Sequence, residues 1–419
     1  MRGNTFIFLV VLFGVQALWA QSNQGSLVIV GGGLEADNHR VYSRMIELAG
    51  GAEKASFAVI PSASGVAMQS YILFKSTLAS YGVKPENIHL IEIAAIDDDS
   101  TTNIDESKWI HNGSNTALAE KVRNCSCVWF TGGDQLRTTK TLYNPDGSYT
   151  PVLEAVWEVY RNGGVIGGSS AGAAIMSDPM IGDGDSMDAL ERGVTISKVG
   201  EDSVDVKGVL ISRGLGFFPG GLVDQHFETR ARIGRLIVAL HQLKDTFTTG
   251  FGIDENTALI YSGKTGSFEV AGVSGVTVIN TSNAHFSDSK TARVDNLLIH
   301  YLTDGDTYDL KSGTIKPSPD KINVAGKEKY KEACYSGGIF SSGPTFRELI
   351  TTGLIDNKES RLARSVAFFK PDSAFLVTLI KTPSSSGYVS QRPGLGRLYT
   401  VQNIRMDIDV MDITFTPQK

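Results

Sequence analysis

The chain has 419 residues, of which 41% are hydrophobic and 20% are charged. These proportions fit a soluble globular protein with a sizeable core, and the length predicts two or three domains. The net charge of −6, without any basic tract, argues against a general nucleic-acid binder.

The first 20 residues have the pattern of a secretory signal peptide. Arg2 precedes an apolar run over residues 6–13, and Ala20 ends a stretch that offers a cleavage point. The run is too short to span a membrane comfortably, and no later apolar segment is long enough to do so. We therefore predict a secreted protein, extracellular or periplasmic, that has no membrane contact after the signal is removed.

Strand-like apolar runs then alternate with helical patterns. Strands are predicted at 26–30, 57–60, 88–93, 128–130 and 165–166, and helices over 40–48, 117–122 and 152–160, with a further helical stretch ending at Tyr81. This alternation is typical of βαβ units. It predicts an α/β fold with a doubly wound, largely parallel sheet and helices on both faces.

Glycine-rich and polar motifs follow several of these strands. They comprise Gly31-Gly32-Gly33, Ser62, the segment 132–135 and Ser170. The carboxyl ends of parallel strands share one edge of the sheet, where ligands bind, so we expect an active site there. The three glycines do not complete a G-x-G-x-x-G motif, because residue 36 is Ala, and a dinucleotide site is therefore not predicted.

The segment Gly168-x-Ser170-x-Gly172 has the spacing of a nucleophile elbow, a tight strand-to-helix turn that presents a reactive serine. Small neighbours allow the sharp turn, and the N-terminus of the following helix favours an oxyanion. The alternative is a glycine-rich turn that serves only close packing. The predicted elbow lies at the carboxyl edge of the sheet, as a catalytic serine would.

A catalytic serine needs a base and a group that orients the base. His226 lies at a predicted junction between a loop and a helix, with the amphipathic pattern starting at Phe227 and Asp224 as a candidate cap. Asp254 and Glu255 follow an apolar strand, and because neighbouring residues on a strand face opposite ways, only one of them can reach His226. The residues alone leave that choice open.

Three arginines follow His226. Arg232 and Arg235 are spaced to share a helix face, whereas Arg230 points away unless the helix begins after it. Arginine pairs bidentately with carboxylates, so this group could hold an acidic substrate. An ordinary solvated helix face is the alternative.

From about Thr257 the chain consists of short β-like segments. Strands are predicted at 258–261, 267–270, 276–279, 365–369 and 374–380, a loop or linker over 311–331 and a flexible loop over 382–387. Residues 286–419 therefore form a β-rich C-terminal region whose role the sequence does not reveal.

The three cysteines, Cys125, Cys127 and Cys334, do not make a disulfide framework or a zinc site. We expect buried free thiols, with Cys125 and Cys127 on one face of a strand.

Four motifs, taken together and in order, resemble those of cyanophycinases, serine peptidases related to the aspartyl dipeptidases. They are Thr131-Gly132-Gly133-Asp134-Gln135, Gly168-x-Ser170-Ala171-Gly172-Ala173, Asp224-Gln225-His226-Phe227 with Arg230, Arg232 and Arg235, and Gly252-Ile253-Asp254-Glu255. The resemblance covers about residues 25–285, and its order of serine, histidine and acid differs from that of α/β-hydrolases.

The resemblance implies a peptidase domain over 21–285 and a secreted exopeptidase that releases β-Asp-Arg dipeptides from cyanophycin, a poly-aspartate whose side-chain carboxylates carry arginine. It implies Ser170 as nucleophile, His226 as base and Glu255 as orienter, with Gly133 and Ala171 as candidates for the oxyanion hole. No metal or organic cofactor is implied, and a homodimer is expected from the family alone. The implied substrate-binding residues are Gln135, Asp224, Gln225, Arg230, Arg232 and Arg235.

Three alternatives remain at this point. The first is a secreted peptidase of the same fold that cleaves other aspartyl or isoaspartyl peptides. The second is a non-catalytic protein that binds the polymer, with the C-terminal region as an adhesion module. The third is an esterase of α/β-hydrolase type, with His285 or His300 as the base.

Overall fold

The computed structural model describes residues 25–198, 205–287, 293–332, 335–336, 338–340, 345–414 and 416. The predicted signal peptide and Cys334 lie outside these residues. No helix in the described ranges is long and apolar enough to cross a membrane.

Helices and strands alternate in the first half of the chain, and strands dominate the second. The helices are α1 (His39–Leu48), α2 (Ala67–Ser80), α3 (Thr116–Arg123), α4 (Gln135–Leu142), α5 (Pro151–Arg161), α6 (Ala171–Ala174), α7 (Ser186–Arg192), α8 (Ile233–Gln242) and α9 (Thr345–Ile350). Short 3₁₀ segments span Pro85–Asn87 and Glu106–Ser114, and a π-helical turn spans Thr351–Ile355.

The strands up to the middle of the chain are β1 (Ser26–Val30), β2 (Phe57–Ile60), β3 (Ile88–Leu90), β4 (Cys127–Phe130), β5 (Val165–Ser169), β6 (Met180–Asp183), β7 (Val194–Ile196), β8 (Val209–Ser212), β9 (Leu222–Asp224), β10 (Thr249–Ile253) and β11 (Thr257–Ser262). The later strands are β12 (Ser267–Gly272), β13 (Gly275–Asn280), β14 (His285–Phe286), β15 (Val294–Thr303), β16 (Thr307–Asp309), β17 (Ile315–Lys316), β18 (Ile322–Asn323), β19 (Tyr335–Ser336), β20 (Leu362–Lys370), β21 (Ser373–Arg392) and β22 (Gly396–Asp412).

The first sheet has the order β17-β16-β12-β11-β1-β5-β4-β2-β3. Its strands β1, β5, β4, β2 and β3 are parallel neighbours, and β11 joins β1 in the antiparallel direction. Parallel strands need helical crossovers, which the intervening helices provide. The predicted α/β class with a largely parallel sheet is confirmed for this part of the chain.

Strand β1 shows how both faces of this sheet are covered. Its side chains alternate: Leu27 and Ile29 pack in one buried cluster with residues of α3 and α5, and Val28 and Val30 pack in another with residues of α1 and α2. All four side chains are inaccessible to solvent. The sheet is therefore doubly wound, as the continuous apolar runs predicted.

The second sheet has the order β19-β20-β21-β22-β15-β13-β10-β9. Strands β9 and β10 are parallel, and β13, β15 and β22 extend the sheet in antiparallel pairs. The C-terminal strands thus continue the sheet that begins with β9 and β10. This confirms a β-rich C-terminal region, while the predicted boundary at residue 285 stays a prediction. Strands β6, β8 and β7 form a small third sheet.

Two predictions for the C-terminal region need correction. Residues 382–387, predicted as a flexible loop, lie within β21, where the register with β22 shifts between Lys381 and Ser386. The Ser385 hydroxyl donates to the carbonyl oxygen of Asn403, so the polar side chains fasten this irregular segment to the next strand. The predicted loop over 311–331 contains two short strands, β17 and β18.

The cysteine prediction is correct in one respect and wrong in another. Cys125 and Cys127 are buried free thiols. They pack into different clusters on opposite faces of the first sheet. The reason is that β4 begins only at Cys127, so the alternation of strand side chains does not extend to Cys125.

Candidate active site

Ser170 lies on a sharp turn between β5 and α6. Its φ and ψ are 57° and −111°, a conformation that non-glycine residues rarely adopt. A Cβ atom on Gly168 would lie 2.5 Å from the carbonyl oxygen of Gly172, and one on Gly172 would lie 2.4 Å from that of Phe130. The spacing G-x-S-x-G is therefore required by the close packing of the turn, which holds Ser170 in a strained conformation of the kind found at active sites.

Ser170, His226 and Glu255 form a hydrogen-bonded chain. The distance from Ser170 Oγ to His226 Nε2 is 2.8 Å, and that from His226 Nδ1 to Glu255 Oε1 is 2.5 Å. A carboxylate at Nδ1 keeps the proton on that nitrogen, so Nε2 is left free to accept the serine proton. His285 in β14 and His300 in β15, the alternative bases for an esterase, lie in the second sheet, and Ser170 pairs with His226 instead.

The structure also separates the two adjacent carboxylates. Asp254 is buried, and its Oδ2 accepts hydrogen bonds from the Ser274 hydroxyl at 2.8 Å and the Tyr301 hydroxyl at 3.1 Å. Glu255, one residue later, is the carboxylate that reaches His226. The two side chains have different partners, so only one of them reaches His226 as predicted, although both residues follow the end of β10 and lie outside the alternation of the strand.

Parallel strands β9 and β10 deliver His226 and Glu255 side by side. The glycine turn after β1 then fixes both residues, because the N–H of His226 donates to the carbonyl oxygen of Gly31 and that of Asn256 donates to the carbonyl oxygen of Gly32. Gly32 has a φ of 109°, and a Cβ atom there would lie 2.2 Å from His226 Cε1. The glycine turn is therefore in direct contact with the imidazole ring.

The predicted helix after His226 begins later than expected. Helix α8 starts at Ile233, and residues 225–232 form a loop in which His226 and Ala231 have φ values of 47° and 49°. Left-handed backbone cannot continue a right-handed helix, which explains the delay. Asp224 does not cap this helix. Its carboxylate instead accepts two hydrogen bonds from Arg235, at 2.9 Å from Nε and 2.5 Å from Nη2.

A cavity of about 410 Å³ opens beside Ser170. Arg230, Arg232 and Arg235 all line it. Arg230 can join the other two because α8 begins after it, which is the condition that the sequence spacing set. Burial and the neighbouring Arg235 lower the pKa of Arg232 to about 10, so Arg232 stays cationic at neutral pH. Arg235 is paired with Asp224, so Arg230 and Arg232 are the two cations that suit the cavity to an anionic ligand.

Two glutamines contribute polar atoms to this cavity. Gln135 is held by its own amide group, whose Nε2 donates to the carbonyl oxygens of Ile181 at 3.0 Å and Gly182 at 2.6 Å. Gln225 is buried, and its Oε1 has no hydrogen-bond partner in the described part of the chain. A buried acceptor of this kind is suited to an N–H group of a ligand.

Asp224, predicted to bind substrate, does not line the cavity, because Arg235 occupies its carboxylate. Two other acids do line it, Asp134 and Asp183. Asp134 belongs to the motif over residues 131–135, although no role was predicted for its side chain. Asp183 ends β6, and no feature of its surrounding sequence indicated a role.

Both predicted oxyanion donors lie close to Ser170, with Gly133 lining the same cavity. Ala171 is the first residue of α6, where main-chain N–H groups have no acceptor within the helix. A Cβ atom on Gly132 would lie 3.3 Å from Ser170 Cβ, so the turn that contains Gly132 and Gly133 packs directly against the serine. This arrangement allows two N–H groups to converge near Ser170 Oγ.

Burial lowers the pKa of His226 from its usual 6.5, and the hydrogen bond that its Nδ1–H donates to Glu255 partly offsets this effect. The imidazole is therefore neutral above that pH, as a base must be. Within the described residues, no group of three or more His, Cys, Asp and Glu side chains is placed to hold a metal ion.

Comparisons with known proteins identify the family to which the chain belongs. Residues 27–268 match the model of peptidase family S51. The chain is 29% identical over 313 residues to a cyanophycinase from Nostoc sp., covering 72% of this chain and 91% of that protein. It is 31% identical over 296 residues to a cyanophycinase from Geminocystis herdmanii, covering 68% of this chain and 94% of that protein. A crystal structure of a peptidase from an acI-B1 Actinobacterium is similar, with 21% identity, a TM-score of 0.45 and coverage of 68% of this chain and 97% of that one.

Proposed function

The chain belongs to peptidase family S51, and on that premise we propose that it is a secreted serine-type exopeptidase that hydrolyses cyanophycin to β-Asp-Arg dipeptides. The family match covers more than half of the chain and confirms the resemblance that its four motifs carried. The substrate comes from the relatives, which are cyanophycinases.

One observation carries the proposal: Ser170, which is hydrogen-bonded to His226 and through it to Glu255, lines a cavity that arginines also line. A serine with a 2.8 Å contact to a histidine, and a histidine with a carboxylate on its other nitrogen, have the geometry of an activated nucleophile. The cavity supplies the place where the acidic part of a substrate would bind.

The reaction would proceed through an acyl-enzyme. Ser170 Oγ attacks the carbonyl carbon of the scissile peptide bond while its proton passes to His226 Nε2. His226 then gives this proton to the departing amine as the carbon–nitrogen bond breaks, which leaves an ester on Ser170. A water molecule, deprotonated by His226, hydrolyses the ester and restores the serine. Glu255 stabilises the imidazolium in both steps.

Charge develops on the carbonyl oxygen during each attack. The N–H groups of Gly133 and Ala171 would donate to this oxyanion, and the loss of one such donor typically slows an enzyme by about 100- to 1000-fold. Helix α6 contributes little beyond these groups, because it is only one turn long.

The cavity offers partners for both signs of charge in the substrate. Arg230 and Arg232 can hold a substrate carboxylate, because guanidinium groups bind carboxylates in a bidentate manner, whereas Arg235 is already bound to Asp224. Asp134 and Asp183 can pair with the substrate guanidinium, a role that Asp224 cannot take while it binds Arg235.

The test uses protein that lacks residues 1–20 and compares wild type, Ser170→Ala and Ser169→Ala. Each is incubated with insoluble cyanophycin, and soluble products are identified by mass spectrometry. We expect β-Asp-Arg from wild type and from Ser169→Ala, the adjacent serine outside the hydrogen-bonded chain, and none from Ser170→Ala. Release by Ser170→Ala would contradict the proposed nucleophile, and release of other aspartyl dipeptides alone would contradict the substrate.

The secreted location has a separate test. The full chain and a chain without residues 1–20 are expressed in the same bacterial host, and culture medium, periplasm and cytoplasm are probed for each. We expect export of the full chain alone. Retention of both proteins in the cytoplasm would contradict secretion and leave the catalytic proposal standing.

A further inference from the structure

The C-terminal region contributes a partly exposed arginine to a cluster of otherwise largely buried polar side chains next to residues of the proposed triad. Arg347 lies in α9, beyond the residues that match family S51. We call this group the Arg347 cluster, and it consists of Glu228, Asp254, Ser274, Tyr301 and Arg347.

Arg347 contacts two parts of the cluster at once. Its Nε lies 3.5 Å from Glu228 Oε2, and its main-chain N–H donates to Glu228 Oε1 at 3.1 Å. Its Nη1 donates to the hydroxyl of Ser274 at 3.1 Å, and that hydroxyl donates to Asp254. One guanidinium is therefore paired with Glu228 directly and with Asp254 through the Ser274 hydroxyl.

Each of these carboxylates is joined to a member of the proposed triad. Glu228 follows His226 by two residues, and Asp254 immediately precedes Glu255. The N–H of Glu228 donates to Asp254 Oδ1 at 3.1 Å. This hydrogen bond links the loop over residues 225–232, which we call the histidine loop, to the segment that contains Glu255. A shift in either carboxylate would therefore move the base relative to its orienter.

The histidine loop needs such support, because His226 has left-handed backbone. Conformations of this kind persist only where the surroundings overdetermine them. On the side of the catalytic cavity, the loop is held by the hydrogen bond from His226 to Gly31. On the opposite side, Glu228 provides the anchor through Asp254 and Arg347.

The charges of the cluster depend on Arg347. Glu228 and Asp254 are two acids buried together, Glu348 adds a further negative charge near Glu228, and Tyr301 is kept neutral by a pKa well above its usual value. Arg347 lowers the pKa of both carboxyl groups, so its removal would favour their neutral forms and take away the ionic contact that holds Glu228.

We infer that Arg347 is a positioning residue for catalysis: by binding Glu228 and Ser274 it holds the loop of His226 in register with Glu255. The inference rests on the proposed role of His226, and it gives the C-terminal region a part in the reaction without contact with the substrate.

The test measures the reactivity of Ser170 without cyanophycin. A fluorophosphonate probe forms a bond from phosphorus to Ser170 Oγ and loses fluoride, while His226 takes the serine proton. The rate of labelling is measured against pH for wild type, Arg347→Met, Arg347→Lys and the control Arg364→Met, an exposed arginine on β20. Thermal unfolding of each protein is recorded in parallel.

We expect Arg347→Met to be labelled about 10- to 100-fold more slowly than wild type, with a shifted pH midpoint, because a displacement of about 1 Å can cost 100-fold. With cyanophycin, its kcat should fall while KM changes by less than about threefold. Arg347→Lys should recover part of the rate, since it restores the charge without the planar fork. Arg364→Met should behave as wild type.

The double variant Glu228→Gln/Arg347→Met covers the case in which the single variant does not fold, since it removes both charges. We expect it to fold and to be labelled slowly. Labelling of either Arg347→Met or the double variant at the wild-type rate would overturn the inference, while leaving the proposed function intact. An unlabelled wild type would overturn the proposed triad and the inference together.

Discussion

Replacing Gly32 by alanine should disable the proposed base without changing any residue of the proposed triad. Gly32 has a φ of 109°, and a Cβ atom there would lie 2.2 Å from His226 Cε1 and 2.4 Å from His226 Nε2. Ordinary contacts between carbon atoms begin near 3.5 Å, so the ring must move by about 1.3 Å to make room. A movement of this size breaks the 2.8 Å contact between His226 and Ser170.

A misplacement of about 1 Å in a catalytic geometry can cost about 100-fold in rate, so we expect kcat of Gly32→Ala to fall by about 100-fold or more. The left-handed backbone adds a cost on the order of 1–2 kcal/mol in stability. Gly51→Ala is the matched control, because Gly51 also has a positive φ, 85°, but has open space around its Cβ position.

The assay is the release of β-Asp-Arg from cyanophycin, measured beside urea unfolding for both variants. Gly51→Ala should lose stability and keep its kcat. If Gly32→Ala folds and retains kcat within about threefold of wild type, the imidazole is not displaced by this contact, and the reasoning that derives the rate loss from the clash is refuted.

Three further predictions concern charged groups. Arg235→Met should destabilise the protein by about 3–5 kcal/mol in urea unfolding, because it removes the bidentate partner of a buried carboxylate and leaves only the more distant Arg232. The exposed Arg230→Met should raise KM and leave stability unchanged, and equal unfolding midpoints of the two variants would contradict this. Burial lowers the pKa of His226 and Glu255 raises it, so the acid limb of the pH profile of kcat/KM should lie below pH 6.5. In Glu255→Gln this limb should move to lower pH and kcat should fall strongly. An upward shift would exclude Glu255 as the group that orients His226. Burial raises the pKa of Glu228 from 4.5 to about 8, so between these pH values the folded protein keeps a proton that the unfolded chain releases. The free energy of unfolding should therefore fall as the pH rises across this window. Glu228→Gln should remove that fall.

The sequence predicted the parts of the fold that depend on local pattern. The continuous apolar runs identified β1, β2 and β4 within a residue, and the glycine spacing around Ser170 located the turn whose packing requires those glycines. Asp254 and Glu255 could not be separated by pattern alone, because the choice depends on how the chain turns after β10 ends at Ile253.

The errors have a physical origin as well. The helix predicted from Phe227 has the right amphipathic spacing, but two residues of the loop adopt left-handed backbone, which no side-chain pattern reveals. The contact between Glu228 and Arg347 joins residues 119 positions apart, so it follows from the pairing of the second sheet rather than from any motif.

The position of β1 sets the order in which this protein can be completed. The strand begins at residue 26, yet its two neighbours in the sheet are β5, made more than a hundred residues later, and β11, which begins at Thr257. Contacts of such long range slow folding, because the ends of large loops must meet first. A newly made chain therefore stays open until well over half of it exists. Glu255 and the strand that follows it must be made before the proposed triad can assemble, so Ser170 cannot act as a peptidase nucleophile on a partly made chain.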